Sequence, residues 1–191
     1  MKITSSLALL ALSAAALSFS GSAMAQQKLI PAQSEISFAV KQMGVPLDGH
    51  FKKFDAQISF DTAKPAAAKI AFTIDSGSAT LGAPESDAEL PKAPWFNVAK
   101  FPQATFQSSS VKALGGGKYQ VSGKLTIKGN VKDIDVPVTL TQAGAVTTAV
   151  GQFAIKRLTY KIGEGEWADT SMVADDVTVK FKLALSGMGK L

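Results

Sequence analysis

The chain of 191 residues carries 20 Lys and Arg against 15 Asp and Glu, a formal charge of +5, with 46% hydrophobic residues, one histidine and no cysteine. That inventory excludes a disulfide framework, a Cys-His nucleophile and a dense His/Cys metal site. The basic excess is mild and spread along the chain, which argues against a nucleic-acid surface.

The first 25 residues read as a cleavable signal peptide. Lys2 supplies a short basic start, Leu7 to Phe19 an apolar run of about 13 residues, and Ala23-Met24-Ala25 a small-x-small cleavage site. Cleavage after Ala25 leaves 166 of the 191 residues and removes one lysine, lowering the charge to +4. No later run approaches the roughly 20 apolar residues of a membrane-spanning helix. Residues 26–191 are therefore expected to form one soluble, exported domain, and a bacterial periplasm suits a chain held together by its core alone.

The exported part reads as strands. Glu35 to Val40 alternates with Ile36, Phe38 and Val40 on one face, and Gly44 to Gly49, with Pro46, reads as a turn or bulge. Ala56, Ile58 and Phe60 repeat the alternation, as do Ile70, Phe72 and Ile74. Asp75 to Pro94 breaks it with small, acidic and proline residues and forms the one long connection, with a short helix expected around Glu85 to Leu90. Long connections in compact domains are often lids or binding loops.

Next comes Trp95 to Phe106, which packs four aromatic residues and a proline into twelve positions. Pro102 holds Phe101 extended and cannot donate to a ladder, so a strand begins at or just after it. Trp95, Phe96 and Phe101 precede that strand, either as aromatic plugs over one end of a core or as the lip of a cavity. The strand runs to about Leu114 and turns at Gly115-Gly116-Gly117, which lacks the following helix and Lys-Ser/Thr of a phosphate loop. Tyr119 to Ile127 leads through Lys128-Gly129-Asn130, with Gly-Asn as the hairpin dipeptide, into Val131 to Leu140, where Pro137 marks an edge or a bulge. Val146 to Leu158 follows, and Val177, Val179, Phe181, Leu183 and Leu185 form the deepest alternation.

Eight strands in antiparallel succession, with no helix long enough to cover a sheet, predict an all-β fold, a single antiparallel eight-stranded barrel with one long lid loop or short helix. Phe38, Phe60, Phe72, Phe106, Val138 and Phe153 share the apolar parity and are expected inside, with Lys52, Lys112 and Lys182 facing solvent. An eight-stranded interior is either filled by side chains or able to hold one small ligand, and periodicity leaves both open.

The polar residues offer little chemistry. His50 follows a turn, either as a partly exposed residue or as a polar contact at a cavity mouth. Asp133/Asp135, Asp175/Asp176 and Glu164/Glu166 stand beside hairpins and loops where solvated acids are common, so an enzyme is not expected. Arg157 falls on the apolar side of its strand under strict alternation. It needs an anionic partner there: an internal carboxylate (Asp169, Asp175 or Asp176), a ligand head group, or else a bulge returning it to solvent.

Several segments together resemble the YceI family across nearly the whole exported chain. They are Ser34-Glu35-Ile36-Ser37-Phe38, Gly49-His50-Phe51, Ile58-Ser59-Phe60-Asp61, Trp95 to Pro102, Gly123 to Gly129, Pro137-Val138, Gly151 to Arg157 and Val173 to Val177. The resemblance implies a periplasmic, lipocalin-like barrel that binds a polyisoprenoid or an isoprenoid quinone, with the tail inside and the head group near the mouth. No cofactor is required, and parity, the aromatic lip and the inward arginine together make Phe38, Phe60, Phe72, Trp95, Phe96, Phe101, Phe106, Val138, Phe153 and Arg157 the expected lipid-contacting residues. Trp95 and Asn97 stand where the family more often has Phe and Asp, which bears on ligand preference. Two further readings stay open: an accessory partner of an inner-membrane redox protein handling quinone, and a stress-related structural barrel with a packed interior.

Overall fold

The computed structural model describes residues 27–191, so the signal peptide read at residues 1–25 lies outside the described residues. The strands are β1 (Lys28–Leu29), β2 (Glu35–Gln42), β3 (Val45–Phe51), β4 (Phe54–Ser59), β5 (Lys69–Asp75), β6 (Ala79–Thr80), β7 (Gln103–Gly115), β8 (Lys118–Ile127), β9 (Asn130–Ala143), β10 (Val146–Lys156) and β11 (Asp176–Ser186). The helix α1 (Pro84–Glu89) lies in the long connection. All strands join one antiparallel sheet in the order β4-β5-β7-β8-β9-β10-β11-β2-β3-β6, with β1 added alongside β11.

Each of the eight periodic runs is a strand, but the closed eight-stranded barrel is corrected to a strongly curled, eleven-stranded half-barrel. The three additional strands are short or irregular. β1 and β6 have two residues each, too few to show a period. β3 occupies the stretch expected to be a turn or bulge. The turn is confined to Met43 and Gly44, at φ 49° and 81°, and the chain is extended from Val45 onward. At one end the N-terminal segment staples the curl: Gln27 N donates to Ile58 O of β4 (3.0 Å) just before β1 pairs β11. At the other end β2 continues into β3 and β6, and the long connection caps the opening.

Two other details of register differ from strict alternation. Between β8 and β9 the turn residues are Lys128 and Gly129, both with positive φ, while Asn130 already pairs with Ile127. In β7 the register shifts between Ser108 and Ser110, so the inward parity is even at Ala104 and Phe106 and odd at Val111. Pro137 sits where pairing with β10 stops at Val138, so its missing N–H costs no bond on that side.

Three strand glycines shape the interior. An ideal Cβ on Gly49 would lie 2.3 Å from the Phe38 ring, on Gly123 2.5 Å from the Phe106 ring, and on Gly151 2.4 Å from the Phe181 ring. In each case a phenylalanine of the neighbouring strand lies flat across the bare backbone. The rings cover the sheet instead of projecting into the middle, and this leaves space at the centre. Lys52, Lys112 and Lys182 are exposed, as their parity requires.

Gly151→Ala should destabilise the fold by about 1–3 kcal/mol, because its Cβ would meet both the Phe181 ring and Pro137 O at 2.4 Å and the carbonyl cannot swing away. Chemical denaturation of the wild type and the variant measures this.

Candidate functional site

The half-barrel holds two chambers of about 180 Å³ each. The deep chamber is lined by aliphatic and aromatic side chains from almost every strand, and its wall exposes carbon throughout, with Tyr119 contributing its ring. The second, at the capped end, is lined by apolar residues together with Gln42, Ser86, Glu89 and Arg157. Phe51, Phe96, Ile127 and Val179 belong to both walls. Along β2 the inward residues pass from Ile36 in the deep chamber to Phe38, Val40 and Gln42 in the mouth chamber, and β11 runs back from Val177 to Leu185. The strands thus lie along a passage whose polarity rises toward one end. Phe51 narrows it, packing edge-on to Phe96 at 6.0 Å and tilted against Phe38 at 5.4 Å.

Phe60, Phe72, Phe106, Val138 and Phe153 line the deep chamber, Phe38, Trp95 and Arg157 the mouth chamber, and Phe96 both. Phe101 lies outside: its ring covers the β8–β9 turn, where a Cβ on Gly129 would meet it at 2.8 Å, and Lys100 Nζ stands 5.4 Å above it. His50 is exposed on β3 and lines neither chamber. None of the acids weighed for catalysis lines either chamber, and most are engaged elsewhere. Asp133 bonds Lys124, Asp135 accepts from Ser122 Oγ, and Asp176 bonds Lys156.

Arg157 is 1% exposed and does enter the interior, but the expected carboxylate partner is corrected. Its guanidinium gives every N–H to a backbone carbonyl: Nε to Ala174, Nη1 to Ile162 and Gly163, and Nη2 to Trp167 and Val173, at 2.7–3.1 Å. A guanidinium has five N–H donors, so none remains for another group. Asp175 instead accepts from Leu158 N at 3.0 Å, Asp169 from Ser171, and Asp176 pairs with Lys156. Burial pulls the Arg157 pKa below its ordinary value, and the charge of Asp175 opposes this. Alternation brought the arginine inward; the loop 158–175 folding back around it supplies the partners. Those loop residues are sequence-local to Arg157 but have no periodicity to announce their contact.

A second cation, Lys128, had no signal beyond its place in a turn. Its side chain is 4% exposed, and the three N–H of Nζ serve Ala93 O (2.7 Å), Lys161 O (2.7 Å) and Glu164 Oε2 (2.8 Å), with Pro94 O sharing one of them at 3.3 Å. The Lys128 ammonium, foremost among its neighbours, holds the Glu164 carboxyl below its usual range. Pro94 O also accepts from Gly163 N and Glu164 N. Lys128 thereby joins the capping connection, the β8–β9 turn and the Arg157 loop.

The cap itself is pinned by α1. Asp87 accepts from Thr80 Oγ1 (2.5 Å) and Leu81 N (2.6 Å), and these bonds, the Thr80 one first, lower its pKa. Trp95, under the cap, packs against Trp167 at 5.4 Å, and its indole Nε1–H is buried with no hydrogen-bond partner. Among the described residues no cluster of His, Cys, Asp or Glu could hold a metal ion.

The site is a pair of carbon-lined chambers inside a curled antiparallel sheet, capped at the more polar end. The YceI-like domain model matches residues 28–185, and the chain belongs to that family. A UPF0312 protein of Yersinia pestis is 40% identical over 141 residues, covering 71% of this chain and 73% of the relative. The crystal structure of Burkholderia cenocepacia BcnA superposes with a TM-score of 0.79 at 47% identity, over 82% of this chain and 98% of that one. A polyisoprenoid binding domain from Saccharophagus degradans, implicated in plant cell wall breakdown, shares the fold with a TM-score of 0.66 at 18% identity, over 84% and 97% of the two chains.

Lys128→Met should cost about 2–3 kcal/mol, because buried carbonyls lose their donor, and it should speed amide hydrogen exchange at Gly163 and Glu164 before the sheet strands. For Asp87, the lowered folded pKa means that its bonds stabilise the cap fully above the ordinary carboxylate value of about 3.9 and are lost as pH falls through the folded value. A pH titration of the Leu81 amide resonance should show that midpoint below the ordinary value, and Asp87→Ala should abolish it.

Proposed function

We propose that this protein is a periplasmic carrier that holds a polyisoprenoid or similar long-chain lipid, with the tail in the deep chamber and the head in the mouth chamber. The observation that carries the reading is the pair of adjoining chambers along β2 and β11, which share Phe51, Phe96, Ile127 and Val179, one wholly apolar and the other sparsely polar. The polyisoprenoid-binding neighbour supports the ligand class. The apolar run and small-x-small site at residues 1–25 support export.

The head group should be neutral and should carry a hydrogen-bond acceptor. Arg157 has no donor left for an anion. Trp95 lines this chamber, and its Nε1–H, buried without a partner, is the donor that an acceptor on the head group would take once the indole turns toward it. A tail contributes about 0.8 kcal/mol per buried CH₂, against about 0.5–1.5 kcal/mol for one such hydrogen bond. Tail length therefore dominates affinity.

Titration of prenols of increasing length should give affinities that rise steeply and then level off when the passage is full. Trp95→Phe should weaken each by about threefold to tenfold, and replacing the alcohol by a phosphate should bring no gain. Affinity that follows the phosphate and ignores the tail would overturn the proposal.

A further inference from the structure

The rim of the mouth chamber carries a cluster of apolar side chains that the fold does not use. Met43 is 77% exposed and Val45 66%, the two most exposed large hydrophobic residues among those described, and Met172 is 40% exposed. They form one patch: Met43 N donates to Met172 O at 2.7 Å, Gln42 bridges Val173, and Gln42 pairs with Val45. The neighbours Gln42 and Val173 line the mouth chamber, so the patch continues the chamber wall outward.

Met43 also occupies an unfavourable backbone position. At φ 49° it precedes Gly44 in a two-residue turn between β2 and β3, where Asn, Asp or Gly is the ordinary choice. A long side chain there strains the turn and buries nothing in the fold. Retaining a flexible thioether at the tip makes sense if it contacts something outside the molecule.

We infer that this rim is a membrane-docking tip, which seats the mouth on a lipid bilayer by inserting Met43, Val45 and Met172 among the acyl chains. The inference rests on the carrier reading above, because a lipid leaving a bilayer for the chamber crosses no water only if the apolar path is continuous, and the patch completes that path. Charge points to the same occupant. The tip carries Lys41 against Asp48 and Asp169, and Asp169 is already bonded to Ser171, so no basic cluster is present to select anionic head groups. Docking is therefore apolar, works on zwitterionic lipid and is insensitive to salt.

The test uses the exported form recovered from expressing cells, its N-terminus established by mass spectrometry, beside the triple variant Met43→Asn, Val45→Thr, Met172→Ser with the same N-terminus. Met43→Asn relieves the turn, so thermal melting verifies that the variant folds. With phosphatidylcholine vesicles, flotation should show weak, salt-independent association of the wild type. The rate of uptake of a fluorescent polyprenol from those vesicles should fall about tenfold in the variant, while equilibrium binding of a water-soluble short prenol stays unchanged. Wild-type uptake by the variant would overturn the docking tip, and so would association that needs anionic lipid and vanishes in salt. Failure of the short prenol to bind either protein, with flotation still dependent on the three residues, would sink the carrier reading and leave the docking surface standing. Capture by a membrane protein in place of lipid would show as flotation with native membranes only, and would overturn the lipid assignment.

Discussion

Five carbonyl oxygens converge on the Arg157 guanidinium, and the open end of the molecule is built around that convergence. Burying a cation uncompensated would cost several kcal/mol, so the loop that supplies the carbonyls cannot leave without exposing or stranding a charge. The requirement holds Ile162, Gly163, Trp167, Val173 and Ala174 in one arrangement. From it follow the position of Trp167 against Trp95, the bond from Met43 to Met172, and the backbone bonds from Gly163 and Glu164 to the capping connection. Lys128 repeats the device one layer out, with three carbonyls and one carboxylate. Both cations serve the frame of the mouth, which explains how a chamber can contain an arginine and still lack an anion site.

The opposite end follows a different rule. Its wall is apolar throughout, and a sheet with that many inward phenylalanines would ordinarily fill its own centre. Gly123 and Gly151 prevent this here by giving the rings of Phe106 and Phe181 a flat place to lie, as Gly49 does for Phe38 in the mouth chamber. Loss of side-chain packing at three strand positions is the cost of a hollow interior. The hollow is what the carrier reading above requires, and the aromatic contact of Phe51 with Phe96 stands where the two chambers share a wall.

The two ends call for different ligand chemistry, and together they set a direction. In the proposed carrier a chain-like molecule would enter tail first, since the polar lining residues Gln42, Ser86, Glu89 and Arg157 belong to the mouth chamber. The exposed methionines and valine on the rim extend the same gradient outward, to the surface where such molecules are dissolved.

Period-two alternation by itself determined the eight long strands and the inward side of Phe38, Phe60, Phe72, Phe106, Val138 and Phe153, while its interruptions marked the short helix and the turns between antiparallel neighbours, and Pro102 marked the start of β7. It could do so because a half-buried strand must alternate or else place apolar carbon in water. The three short or irregular strands, the parity change in β7, the true turn residues Lys128 and Gly129, and the withdrawal of Phe101 to cover that turn were beyond it. Each depends on which backbone groups happen to meet across the fold. The same holds for Arg157: its inward direction is a matter of parity along one strand, but whether a carboxylate, a ligand or five carbonyls would meet it depended on the path of a loop with no period at all. Only the tertiary structure decided that, because a hydrogen-bond partner is chosen by position in space and any residue's carbonyl can serve.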